Sequence, residues 1–132
     1  MHNRPLLAAA SVATCLLYTG CDVLTGGTSC SQSIEPGIVL SAYDASTGAS
    51  LTGETSALAI EGTYADTLRA SSVSGEGEVL TLAGVDERAG TYTVIAEAAG
   101  YLPWVRTGVQ VRDGECHVRQ VRPEARMERP EG

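Results

Sequence analysis

From Gly37 onward the chain runs in short stretches of period two, each closed by turn residues, and that rhythm restricts it to strands. Ile38, Leu40 and Ala42 alternate with Val39, Ser41 and Tyr43 until Asp44-Ala-Ser-Thr-Gly48 breaks the run with turn chemistry. Ala57-Leu-Ala-Ile-Glu61 and Thr63-Tyr-Ala-Asp-Thr-Leu68 follow, then a polar Ser/Gly stretch at 71–77, then Glu78-Val-Leu-Thr-Leu82. Asp86-Glu-Arg-Ala-Gly90 is another turn. Thr91-Tyr-Thr-Val-Ile-Ala-Glu-Ala98 is the clearest strand, rich in β-branched residues and free of Gly and Pro. Val109-Gln-Val-Arg112 and Cys116-His-Val-Arg119 flank Asp113-Gly114, which predicts a two-residue hairpin. On that register Val109 and Val111 share one face, Cys116 and Val118 share another, and His117 and Arg119 point to solvent. After residue 22 no apolar set recurs at helical spacing with caps. Strands at intervals of roughly eight to twelve residues predict an all-β chain, a β-sandwich of about seven strands.

The start of the chain has a different character. Met1-His-Asn-Arg4 carries charge, Leu6 to Tyr18 is an apolar run, and Thr19 and Gly20 are small. That order predicts a secretory signal peptide over 1–20, since the run falls short of the roughly 20 residues that span a bilayer. Ending it on Gly20-Cys21 resembles the lipobox of bacterial lipoproteins, although Tyr18 stands where that motif favours Leu. The resemblance implies an acylated Cys21 as the mature first residue and a membrane partner reached through the lipid. It also implies the bacterial cell envelope, with the outer membrane favoured over the inner. Asp22 is an inner-membrane retention signal in some lineages only. Cysteine parity follows: Cys15 leaves with the leader, Cys21 takes the lipid, and Cys30 with Cys116 remain as a disulfide pair in an oxidising compartment. Residues 21–36 are small and polar, a flexible tether; 37–122 form the β-sandwich, and 123–132 a polar C-terminal tail.

Composition excludes several functions. From Cys21 on there are 112 residues, enough for one core. Sixteen acidic groups stand against eight Arg there, a net charge near −8, and no basic stripe offsets it. Nucleic acid is therefore not an expected partner. His117 is the only histidine beyond the leader, so neither a multi-histidine zinc site nor a four-cysteine site can be assembled. The chain lacks Lys and hence any phosphate-binding Gly-x-x-x-x-Gly-Lys loop. No nucleophile elbow surrounds His117. The expectation is no enzyme, no metal and no cofactor.

Ala89-Gly-Thr-Tyr-Thr-Val-Ile-Ala-Glu-Ala-Ala-Gly-Tyr-Leu-Pro-Trp104 resembles the carboxypeptidase regulatory-like, or transthyretin-like, family. There a Gly-x-Tyr-x-Val strand leads to a Gly-Tyr corner and a returning strand. The segment from Val39 through Tyr43-Asp-Ala-Ser-Thr-Gly48 is similar to that family's first hairpin. The resemblance covers about residues 37–122 and implies a Greek-key sandwich, used in the family as accessory domains, stalk modules and small exported lipoproteins. No peptidase domain accompanies it. A hydrolase of related fold, hydroxyisourate hydrolase, needs several histidines and a terminal Tyr-Arg-Gly-Ser, whereas this chain ends Met-Glu-Arg-Pro-Glu-Gly.

A structural or interaction module with an unknown protein partner is the function expected. Tyr101, Trp104 and Arg106 after the Gly100 corner form a candidate binding surface, because aromatics and Arg are enriched at interfaces; packing of Trp104 into the core is the plainer reading. A periplasmic ligand- or protein-binding module using that edge is the alternative. A small hydrolase would need His117 in a cleft with a Ser or Asp partner. Glu76, Glu78, Asp86 and Glu87 lack calcium-loop spacing and read as a solvated acidic face, and His117 beside Glu115 as a surface residue.

Overall fold

The computed structural model describes residues 29–72 and 79–131. The signal peptide, Cys21, the tether through residue 28, and Glu76 and Glu78 of the acidic stretch lie outside the described residues. The chain divides into two compact units, Met1–Cys30 and Ser31–Gly132, and the architecture belongs to the second.

That unit is all-β. In chain order its strands are β1 (Pro36–Asp44), β2 (Thr55–Glu61), β3 (Tyr64–Thr67), β4 (Arg69–Ser72), β5 (Val79–Asp86), β6 (Gly90–Ala98), β7 (Trp104–Val111) and β8 (Glu124–Met127). They make two four-stranded sheets, ordered β4-β5-β1-β8 and β3-β2-β6-β7. All neighbours are antiparallel except β1 and β8, which run parallel. The alternation read from sequence sorts each strand's faces. Ile38, Leu40 and Ala42 of β1, Ala57 and Ala59 of β2, and Tyr92, Val94 and Ala96 of β6 all point into one core. Alanines at many of these positions let the large side chains, Tyr92, Ile38, Leu40 and Met127, fill the space between the strands.

Three expectations need correction. The Asp113-Gly114 hairpin has no second strand: Arg112 and Arg119 form a single bridge, and residues 113–118 curl back on themselves. A Cβ at Gly114 would stand 2.2 Å from the His117 carbonyl oxygen, so only Gly allows a fold this tight. Cys116 and His117 are drawn out of the ladder by partners elsewhere, a sulfur bridge and a carboxylate. The His117 ring accordingly does not point free into solvent; its side chain is only 23% exposed and bound to Glu87.

The C-terminal segment is also not a frayed tail. Val121 bridges Ile38, and Glu124–Met127 then pairs along Ser41–Asp44 as β8. Ala125 and Met127 enter the core while Glu124 and Arg126 face out. Last, the tether is fastened before residue 36. Glu87 donates its backbone N–H to the Glu35 carbonyl at 3.0 Å, and the Glu35 N–H returns to the Glu87 carboxylate at 2.9 Å.

Candidate functional site

Cys30 and Cys116 form a disulfide. Each is followed by a residue able to do chemistry, Ser31 and His117, and the bridge brings those two side chains together. Ser31 Oγ lies 3.0 Å from His117 Nε2, and Glu87 Oε1 meets Nδ1 on the other side of the ring at 2.5 Å. The Glu87 carboxylate is fixed by backbone N–H groups, Glu35 at 2.9 Å and Val118 at 3.3 Å. The Glu35 amide above all, then His117 and Val118, hold its pKa below the ordinary glutamate value against the opposing cost of burial. A carboxylate can only accept, so Nδ1 carries a proton, and in that tautomer Nε2 is the ring's acceptor towards Ser31. Ser31 Oγ is also 2.9 Å from Ser33 Oγ, whose own proton goes to Glu35 Oε1 at 2.8 Å, so Ser33 is a second acceptor for the single Ser31 proton beside Nε2.

The backbone that aims Glu87 is strained. Glu87 has φ 51° and Val85, fully buried, has φ 58°, the left-handed region that a β-branched residue rarely enters. The Val85 N–H is held by Asp66 Oδ2 at 2.7 Å.

The side chains of Tyr101, Trp104 and Arg106 fall into two clusters. Gly100, at φ 87°, turns the chain after β6, and the Tyr101 hydroxyl then donates to Asp44 Oδ2 at 2.6 Å. Arg129 completes that cluster, donating to the Tyr101 oxygen at 3.1 Å. Trp104 leans partly buried on the core from the start of β7, with the Arg106 guanidinium 4.9 Å from its ring. Leu102 and Val105 beside it are two of the exposed large apolar side chains, at 46% and 55%. A shallow recess of about 360 Å³ lies here, with Trp104, Arg126 and Glu128 in its wall.

Of the acidic face, Asp86 pairs with Arg69 at 2.6 Å while Glu87 takes His117. At another edge Arg88 donates to Glu61 and to the Tyr92 hydroxyl and covers the Tyr64 ring at 3.7 Å, a cluster closed upon itself. Among the described residues no group of three or more His, Cys, Asp or Glu is placed to hold a metal ion, and no helix is long and apolar enough to cross a membrane.

Sequence reasoning named His117 but missed both its partners. The signal was present in the cysteines: pairing Cys30 with Cys116 necessarily brings Ser31 near His117. Nothing local in the sequence marked Glu87, whose backbone conformation is imposed by the strands around it. The chain matches no family model, and no curated protein matches it.

Proposed function

We propose that this chain is an exported lipoprotein of the bacterial cell envelope, acylated at Cys21, whose β-sandwich of the carboxypeptidase regulatory-like kind presents a surface to a protein partner. The consecutive pairs β2–β3, β4–β5 and β6–β7 fall alternately in the two sheets, with the chain crossing between sheets from one pair to the next, which supports the Greek-key reading. A disulfide favours an exported location. The observation that carries the interaction role is the β7 edge, where the Arg106 guanidinium lies over Trp104 and Leu102 and Val105 stand exposed on either side. Partly buried aromatics with a stacked Arg and apolar neighbours are the composition of an interface centre. On this reading Tyr101 positions the corner and Trp104 with Arg106 make the contact. The role of this surface is display and binding.

A photo-crosslinking residue placed at Val105 tests it in living cells. A discrete protein adduct is expected, lost when Trp104→Ala and Arg106→Glu are combined, and weaker from Thr67 on the opposite edge strand β3. No adduct, or equal adducts from both positions, would reject the assignment. Intact-mass measurement is expected to show diacylglycerol on an N-terminal Cys21; an unmodified terminus elsewhere would remove the anchor.

A further inference from the structure

We propose that Ser31 is an activated nucleophile, with His117 as its general base and Glu87 as the residue that positions the imidazole, and that it accepts acyl groups from small activated esters. The inference rests on neither the lipid anchor nor the β7 edge. A hydroxyl becomes nucleophilic when a base within hydrogen-bond reach takes its proton and a third group orients that base. Here Nε2 is 3.0 Å from Ser31 Oγ. Glu87 holds Nδ1, and its own carboxylate is fixed by the Glu35 and Val118 amides.

Two further observations single this array out from an ordinary surface contact. Both chemistry-bearing residues directly follow the bridged cysteines, so the disulfide restrains the Ser31–His117 pair, which is 86 residues apart in sequence. The carboxylate sits at one of the two non-glycine residues with positive φ among those described, and strain of that kind persists where the surrounding structure enforces it, often at reactive sites. Ser31 itself is exposed, so an electrophile can reach Oγ.

The reaction balances without a cofactor. Ser31 Oγ attacks the ester carbonyl carbon as its proton passes to Nε2. The bond to the leaving alkoxide breaks, and the alkoxide takes that proton. Water then gives a proton to Nε2 as it attacks the acyl-serine, and Ser31 leaves with the proton restored. The exposed position suits small activated esters and organophosphonates rather than a substrate enclosed on all sides.

The test is covalent labelling of the mature chain, disulfide intact, with a fluorophosphonate probe, read by peptide mass. One adduct is expected, at Ser31, lost in Ser31→Ala and unchanged in Ser29→Ala. His117→Ala is expected to slow labelling by about a hundredfold or more. Glu87→Ala, which removes the acceptor at Nδ1, is expected to slow it as well, and nitrogen-15 shifts of the ring should then move its proton from Nδ1 to Nε2, a change that loss of packing alone does not produce. Ser31→Ala, an exposed change, is expected to keep the wild-type melting temperature. No adduct at Ser31, or an adduct formed as fast without the imidazole as with it, overturns the proposal.

Discussion

Asp44 is 3% exposed at the end of β1, yet it is charged. The Tyr101 hydroxyl is the largest cause, followed by the Thr47 N–H, with the Ser46 N–H and Arg129 adding to them against desolvation; together they hold the carboxyl far below the usual carboxylate range. An unfolded aspartate titrates near pH 3.9. The folded form has the lower pKa, so the stability it confers is fully present above about pH 5 and lost as pH falls through about 4 towards the folded value. Tyr101→Phe is therefore expected to lower the melting temperature at neutral pH by on the order of 5 °C and to flatten the decline below pH 4, both read from melting curves across pH. Arg129, with its side chain 71% exposed, contributes little by comparison. Gly100→Ala forces a side chain into φ 87° and is expected to cost about 1–2 kcal/mol, measured by urea denaturation.

Among the elements, β8 separates what the sequence discloses from what only the tertiary fold decides. Its buried Ala125 and Met127 alternate with exposed Glu124 and Arg126, a period of two that was open to reading. Four residues dense in charge are too few to stand out, and their parallel pairing with β1 is a long-range fact with no local mark. Met127, 1% exposed, tests the strand: Met127→Ala is expected to cost about 2–5 kcal/mol, and a midpoint in urea equal to wild type would mean that β8 is not part of the folded body. By contrast β1, β2 and β6 were legible because long alternating runs with β-branched or apolar residues admit one buried face each. The Cys116–Arg119 strand was misread for the opposite reason. Its local pattern favours a hairpin, but a disulfide and the Glu87 bond to His117 hold it elsewhere. Of the candidate site, the sequence supplied Tyr101, Trp104 and Arg106 as one surface and His117 by itself; the Asp44 and Arg129 partners of Tyr101 and the Glu87 and Ser31 partners of His117 came from the packing of distant segments.

For the whole molecule the disulfide matters most. It closes the chain from Cys30 to Cys116, and in the chain-entropy model a loop of that length stabilises by roughly 4 to 5 kcal/mol. That is a large part of a typical total of about 5 to 15 kcal/mol. Reduction is expected to lower the melting temperature strongly, and Cys30→Ala with Cys116→Ala to melt where the reduced protein melts, with no further effect of reductant. Free-thiol labelling of both cysteines in protein isolated without reductant would contradict this. The bridge also decides how the chain bears load. Under the proposed N-terminal anchor and a load applied at Trp104, tension would cross from Cys30 to Cys116 and return to Trp104 through a short stretch of backbone. The long segment from Ser31 to Pro103 lies in the slack arm of that circuit. A module hung this way yields only a few nanometres to force while oxidised, and pays out its full length only once the sulfurs part.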